Sequence, residues 1–315
     1  MNISKMNLSE LSKLTEEQAR ETFERLRWPH GVICPHCGCA EGHTRLGGKK
    51  HRPGVWKCNK GCAQQFSATV GTVMEGSHIG MRHWLMAFSI FCSAKKSISA
   101  LQLQRQLGIG SYRTAWHLAM RIRFAMSRNP LKGQLEGVVA VDESYIGGAP
   151  KNFSNKKRRQ YAKTGRGTDK TAVVALVERG GSVRAWPIAN ITAKTLQDAI
   201  RDNVSPKATI HTDQLVSYRG VGKWFEGGHA TVNHTKQEYS RDGVSTNDAE
   251  SYFALLKRGI TGSFHSVSKT HLHRYCDEFS FRWNERKVSD AERTVKALGL
   301  IEGTRLMYKE PIGAQ

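Results

Sequence analysis

Three acids in this chain fall where regular structure should end or begin. Residues 138–141 read Val-Val-Ala-Val, a continuous apolar run suited to a buried central strand, and Asp142 follows at once. Residues 208–212 form a second short strand-like run that closes on Asp213. Asn247 and Glu250 open a helical stretch that starts near Thr246. Lys257 lies seven residues beyond Glu250, two helical turns on and on the same face. A carboxylate at the end of a buried strand is costly unless something compensates it, and a metal ion does so. Taken singly, Asp142 reads as a strand-end cap, Asp213 as a turn former and Glu250 as a solvated helix residue. Delivered together by strand, strand and helix, they suggest a two-metal site. Carboxylates there would bridge two Mg²⁺ ions, or Mn²⁺ in their place, about 3.5–4 Å apart. One ion would lower the pKa of an attacking water or 3′-hydroxyl and the other would stabilise the leaving oxygen, with Lys257 near a phosphate. Alternation along the strand should turn Glu143 away from Asp142.

A second constellation is made of thiols. Cys34 and Cys37 form a Cys-x2-Cys pair, and Cys58 and Cys62 form a Cys-x3-Cys pair about twenty residues later. Two knuckles at the tips of two hairpins supply the four soft ligands of a tetrahedral structural Zn²⁺. Val32-Ile33 and Val55-Trp56-Lys57 read as the short strands leading into them, and Gly38 and Gly61 suit the tight turns. Cys39 is a spare thiol, and His36 can stand in for one ligand. Between the pairs lie Arg45, Lys49, Lys50, Arg52, Lys57 and Lys60, with no acid from 42 to 74. Such a loop suits DNA phosphates or, more simply, a solvated basic face.

These groups need scaffolds, and the remaining pattern offers them. Residues 8–28 read as one amphipathic helix ending at Trp28-Pro29. Residues 97–107 and 111–125 read as two helices broken by Gly108-Ile109-Gly110, with Ser111 as N-cap. A preceding helix carrying Trp84, Leu85, Phe88 and Phe91 completes a trihelical core. The second helix carries Tyr112, Arg113, Thr114, His117, Arg121 and Arg123, which matches a DNA-reading helix-turn-helix, with plain helical packing as the alternative. Residues 171–177 and 183–191 read as a hairpin through Gly180-Gly181, and residues 193–203 as a helix. Residues 149–171 form a basic insertion with Lys151, Lys156, Lys157, Arg158, Arg159, Lys163, Arg166 and Lys170 against the single acid Asp169. It is an exposed loop expected to order on DNA, or merely a flexible one. The fold class is therefore α/β.

Composition narrows the partner. The chain of 315 residues carries a formal net charge of +21, far beyond what solubility needs, and residues 1–33 contribute none of it. Phosphate backbones attract such charge by counterion release, which makes double-stranded DNA the natural partner. An anionic membrane is disfavoured, because no basic amphipathic helix with a broad apolar face stands out. No apolar run approaches the roughly 18–20 residues that span a bilayer, and no signal peptide stands at the start. The expected location is the bacterial cytoplasm, with nucleoid association through DNA. Disulfides are uncommon there, so the seven cysteines read as ligands or free thiols.

The stretches VAVDESYIGG at 139–148, HTDQLVSY at 211–218 and NDAESYFALLKRGITGSFHSVSKTHLHRYCDEFSFRWNER at 247–286, with CPHCG and WKCNKGC in the cysteine segment, cover most of residues 30–286. In them the chain resembles bacterial insertion-sequence transposases of the fifteen-ninety-five family, which carry an N-terminal zinc ribbon and an RNase H-like, retroviral-integrase-like catalytic domain. The resemblance implies cleavage at the ends of a mobile element by water, then attack of the freed 3′-hydroxyl on target DNA, with no covalent protein intermediate. It implies Asp142 and Asp213 as metal ligands. The family's third position is Asn or Glu followed by Lys, and both Asn247 and Glu250 fit. Glu250 is favoured because a carboxylate binds Mg²⁺ better than an amide and Lys257 lies two turns beyond it.

The expected layout is an N-terminal helical segment (1–30), a zinc ribbon (31–75), helix-turn-helix-like helices (76–130), the RNase H-like domain (131–290) and a C-terminal helix and tail (291–315). His265, His271 and His273 follow the Glu250 helix and read as surface or packed residues, or as groups that orient water or phosphate. On the last long helix Arg274, Arg282, Trp283, Asn284 and Arg286 form a basic, aromatic face. Phosphate contact is expected of Arg282 and Arg286, while Phe279 and Trp283 read as core. Joining two DNA ends in concert implies a homodimer or larger assembly on DNA. A transposase-derived DNA-binding protein without catalysis and a related metal-dependent nuclease are the competing readings.

Overall fold

The structure is a computed structural model and describes residues 6–128, 133–147, 170–233, 240–241, 243–303 and 305–313. Contacts divide the chain into two compact units, residues 1–129 with 287–315, and residues 130–286.

The first unit begins with α1 (Leu8–Lys13) and α2 (Glu16–Arg27). The sequence pattern reads these as one helix. The break falls at Leu14-Thr15, where Thr15 and Gln18 cap each other's backbone N–H groups, a capping box that starts a new helix. The ribbon is a three-stranded antiparallel sheet of β1 (His43–Leu46), β2 (Val55–Cys58) and β3 (Gln65–Ser67). Val32-Ile33, expected as a strand, joins no ladder, and the strand that pairs with β2 is β1. Phe66 is buried beneath the sheet, with Trp28 and His43 packed edge-on against it. The helical module comprises α3 (Met81–Ser93), α4 (Ala100–Leu107) and α5 (Tyr112–Met126). Gly108 ends α4 in the left-handed region at φ 65°, a conformation that costs any other residue, and so allows the sharp turn into α5. Trp84, Leu85, Phe88 and Phe91 of α3 are buried, as are Leu103 and Leu107 of α4 and Leu118 and Ile122 of α5, and together they form the core of this module.

The second unit is built on a mixed five-stranded sheet of β4 (Val138–Ile146), β5 (Thr171–Glu178), β6 (Val183–Ile188), β7 (Thr209–Asp213) and β8 (His229–Val232), with α6 (Ala193–Asn203) between β6 and β7. The spatial order is β6-β5-β4-β7-β8, antiparallel from β6 to β4 and parallel from β4 to β8. This is an RNase H-like α/β arrangement. The short strands β9 (Ser240–Arg241) and β10 (Val244–Ser245) lead into α7 (Asn247–Gly259), a π-helical turn at Ile260–Phe264, and α8 (Leu272–Asn284). Strand alternation gives the sheet two apolar faces. Val139, Val141, Val174, Leu176 and Ile210 pack with Leu196 and Ile200 of α6 on one side. Ala140, Val173, Ala175 and Val177 pack with Ala249, Tyr252, Phe253 and Leu256 of α7 and with Cys276 and Phe279 of α8 on the other. Both faces are covered, which is why β4 and β5 read as continuous apolar runs. After this unit the chain adds α9 (Asp290–Gly299) and α10 (Lys309–Gly313) to the first.

Candidate active site and metal centre

Strand β4 does not stop at Asp142. It runs on to Ile146, with Asp142 opposite Ala175, so the acid sits in mid-strand rather than at the strand's end. The parallel pairing with β7 runs through Val138↔Thr209, Val139↔Ile210 and Ala140↔His211. Continued by two residues, that register sets Asp213 beside Asp142 on neighbouring strands, with both side chains on one face. That face is the one α7 covers.

Helix α7 is oriented by its apolar residues Ala249, Tyr252, Phe253 and Leu256, which leaves Asn247, Glu250 and Lys257 exposed. Its start is fixed from below: the backbone N–H of Ser245 donates to Nδ1 of the buried His211 at 3.4 Å, tying β10 to β7. At its far end Gly259 admits the ring of Phe279, since a Cβ there would fall 2.1 Å from Cζ.

The three acids influence one another electrostatically, but among the described residues only the four ribbon cysteines are gathered closely enough to form a metal-holding group. Burial, above all, and then the neighbouring Glu143, Asp213 and Glu250 carboxylates push the Asp142 carboxyl up to about 7, against one opposing hydrogen bond from the Glu143 N–H. The Asp213 carboxylate accepts the Leu215 N–H at 3.0 Å, which fixes the turn after β7. Glu143 does turn to the other face, where the buried Tyr218 hydroxyl donates to its Oε2 at 2.6 Å. Neither His211 nor the Glu143–Tyr218 pair is marked by composition or spacing. Tyr218 closes the HTDQLVSY stretch and Glu143 follows Asp142, so adjacency to a candidate carboxylate was the available signal.

The expected DNA-facing residues divide. Lys49, Lys50, Arg52, Arg113 and Arg286 are exposed. Arg286 donates to the Gly181 and Trp283 carbonyls and stacks over the Trp283 ring. Arg282 is the exception on α8. It is 7% exposed and donates to the fully buried Glu278 from Nε at 3.0 Å and from Nη2 at 2.7 Å. One helical turn separates the two, so Arg282 neutralises an interior acid rather than facing solvent. Arg121 and Arg123, read from sequence as part of the polar face of α5, are likewise buried. Arg121 donates to the Leu306 and Glu75 carbonyls, and Arg123 lies over the Phe91 ring. Phe279 is core, as its type suggests. Lys156, Lys157, Arg158 and Arg159 lie outside the described residues.

In the ribbon the Sγ atoms of Cys34, Cys37, Cys58 and Cys62 all lie within 4.8 Å of one another. Cys34 and Cys62 are 3.7 Å apart and Cys37 and Cys58 are 3.8 Å apart. A tetrahedron with Zn–S bonds of about 2.3 Å has an edge of about 3.8 Å, so the four thiols fit Zn²⁺. The backbone reinforces the site: N–H groups of Cys39 and Cys62 point at Cys37 and hold its thiol down at about 6, favouring the thiolate that binds metal. At Gly61 a Cβ would fall 2.7 Å from Cys37 Sγ and 2.9 Å from Cys58 Sγ, so only glycine fits against the cluster. Cys39, the spare thiol, donates instead to the Glu41 carbonyl, and His36 is not in the cluster.

Comparison with known proteins places these two constellations in one class. An ISXO2-like transposase domain matches residues 134–284, and a transposase zinc-ribbon domain matches residues 14–65. The chain is also 28% identical over 276 residues to an uncharacterised protein in transposable element ISH50 of Halobacterium salinarum, covering 85% of this chain and 91% of that one. The chain belongs to the IS1595 family of insertion-sequence transposases. Among the described residues no helix is long and apolar enough to cross a membrane.

Proposed function

We propose that the protein is an active DNA transposase: it cleaves at the ends of its element and joins the freed 3′-hydroxyls to target DNA. The observation that carries this reading is the register that sets Asp142 and Asp213 side by side on the sheet face that α7 covers, with Asp142 raised by burial first and then by its acidic neighbours, Glu250 among them. Carboxylates set on neighbouring strands and on the helix that covers them are suited to a divalent cation. The donors are all oxygen, the ligand type Mg²⁺ takes, with Mn²⁺ able to substitute. Asp142, Asp213 and Glu250 would hold two such ions, which supply Lewis acidity to the attacking and leaving oxygens of an in-line displacement.

The chain's own residues then position the DNA. Water attacks a phosphodiester at the element end, the phosphorus–3′-oxygen bond breaks, and the 3′-oxygen leaves with a proton. The resulting 3′-hydroxyl later attacks a target phosphodiester, its proton is lost, and a target 3′-oxygen leaves. Lys257, exposed two turns beyond Glu250, neutralises a nearby phosphate, and Asn247, one turn before Glu250, hydrogen-bonds the strand or an ion's water. Exposed Lys49, Lys50 and Arg52 of the ribbon and Arg113 of α5 supply sequence-independent grip and end recognition. Two ends joined in concert require at least a dimer on DNA, within the bacterial cytoplasm and nucleoid.

The test is a joining assay. Purified protein, Mg²⁺ and a duplex carrying the element end are incubated with a supercoiled target. Joined products establish the transposase, nicks without joining assign a metal-dependent nuclease, and DNA binding with neither leaves a DNA-binding protein without catalysis.

A further inference from the structure

Within the first unit, a cavity of about 980 Å³ opens between the start of α5, the turn at Gly108–Gly110, the segment 76–84 and residues 305–309. Its walls carry Arg113, Arg121, Arg305 and Lys309 and three histidines, and no aspartate or glutamate at all. Arg113 and Lys309 are exposed, Arg305 is half-buried and Arg121 is held by the Leu306 and Glu75 carbonyls, so the cavity has a basic rim open to an anion. Two details aim that charge inward. The Nε of Arg305 is buried with no hydrogen-bond partner, its guanidinium lying against Gly76, where a Cβ would fall 2.6 Å from Cζ. Ser111 caps α5 without a side-chain hydrogen bond, so the first-turn N–H groups of a fifteen-residue helix border the same space.

The cavity is too large and too apolar for a phosphate alone. Trp84, Leu107 and Leu118 are buried behind it, and Met307 and Tyr308 present the accessible apolar surface, the Tyr308 ring edge-on to His117 at 5.3 Å. Flat apolar surface beside a cationic edge is the pairing that holds unstacked bases and their backbone together. The volume exceeds one nucleotide and suits two or three. The exposed Tyr112 and Arg113 at the mouth continue it toward the surface where a duplex would lie against α5.

We infer that this cavity binds an unpaired segment of DNA strand, with bases against Tyr308 and Met307 and phosphates at Arg305, Arg113 and the start of α5. The inference rests on DNA being the partner and not on the carboxylate chemistry of the other unit. Burial and then the neighbouring Arg305 press the Arg121 guanidinium down to about 10, with Glu75 opposing them.

The test compares the full chain's affinity, by fluorescence anisotropy, for a blunt duplex and for the same duplex bearing a single-stranded tail of about four nucleotides. The expected result is binding about tenfold tighter to the tailed duplex, the worth of one stacked base. Thr114→Trp, which fills the mouth from an exposed helix position, and Arg305→Gln should each abolish that advantage. Arg105→Gln removes the same charge from exposed α4 outside the cavity and should keep it. Circular dichroism checks each variant's fold, and if Arg305→Gln fails it, Thr114→Trp decides. Equal wild-type affinity for the two duplexes overturns the inference while leaving the DNA reading intact. So does a tail advantage that survives a folded Thr114→Trp. Binding of free deoxynucleoside monophosphate without any tail advantage also overturns it, and failure to bind either duplex would sink the DNA reading itself.

Discussion

The Tyr218 hydroxyl donates to Glu143 Oε2 across 2.6 Å, and this one bond ties the turn that follows Asp213 to the residue that follows Asp142. Asp142 and Asp213 ride on neighbouring parallel strands, so whatever holds those strands in register also sets the carboxylate spacing. The bond lies on the sheet face away from α7 and leaves the carboxylate face open.

Removing it should loosen that spacing. Tyr218→Phe keeps the buried ring but removes its bond to the half-buried Glu143 carboxylate, at a cost of about 1–3 kcal/mol in unfolding free energy. Its Mg²⁺ dependence should shift to higher concentration, while duplex affinity in the absence of divalent ions stays unchanged. Urea denaturation and a Mg²⁺ titration of cleavage measure the two effects. An unchanged metal dependence would make the bond purely structural.

The raised Asp142 carboxyl gives the metal-free protein a defined pH response. Its folded pKa, about 7, stands above the ordinary aspartate value of 3.8, so between those values the folded state holds a proton that the unfolded state has lost. The associated stability is full below about pH 4 and is lost as pH rises through 7. The ceiling is on the order of 4 kcal/mol, and solvent access and relaxation will reduce it. Asp142→Asn should flatten this part of the curve and make the metal-free protein more stable than wild type at pH 8. Urea melts of both proteins from pH 4 to 8, in chelator, check it. Parallel curves would contradict it.

The ribbon should depend on its metal and on Gly61. Chelation of zinc, or Cys58→Ser, should melt the ribbon and weaken duplex binding, because a four-thiolate site supplies much of such a module's folding free energy. Gly61→Ala, which pushes a methyl group toward Cys37 and Cys58, should lower zinc affinity with all four ligands retained. Zinc content after dialysis against a competing chelator reads this out. Full retention in Gly61→Ala would mean that the loop gives way.

Two arginines on the same stretch of sequence should behave oppositely. Arg282→Ala removes the guanidinium that answers the fully buried Glu278 and should cost about 3–5 kcal/mol. Arg286→Ala should cost little stability and lower the salt slope of DNA binding by about one. Equal stability losses, or a salt slope that falls only in a folded Arg282→Ala, would reverse the assignment.

Much of this was legible in the sequence because local signals agreed. Glycine breaks, N-caps and apolar runs located α5, α6, β5, β6 and β7 closely, and paired thiol spacing marked the ribbon. What failed were features set by tertiary pairing. Strand β4 continues past Asp142 because β5 stays hydrogen-bonded to it, which no apolar run reveals across Asp142, Glu143 and Ser144. Arg121, Arg123 and Arg282 look like surface charges by type, yet carbonyls, an aromatic ring and Glu278 draw them inside. The return of residues 287–315 to the first unit leaves no local trace either.

The central claim is that Asp142, Asp213 and Glu250 hold the catalytic ions. The most direct measurement is an end-cleavage and strand-transfer assay in Mg²⁺ for wild type, Asp142→Ala, Glu250→Gln and Asn247→Ala, with duplex affinity measured on the same preparations. The account predicts that Asp142→Ala and Glu250→Gln abolish both steps while binding DNA as wild type does, and that Asn247→Ala keeps measurable activity. An active Glu250→Gln beside an inactive Asn247→Ala would move the third ligand to Asn247. Cleavage by Asp142→Ala at the wild-type rate would contradict the account outright.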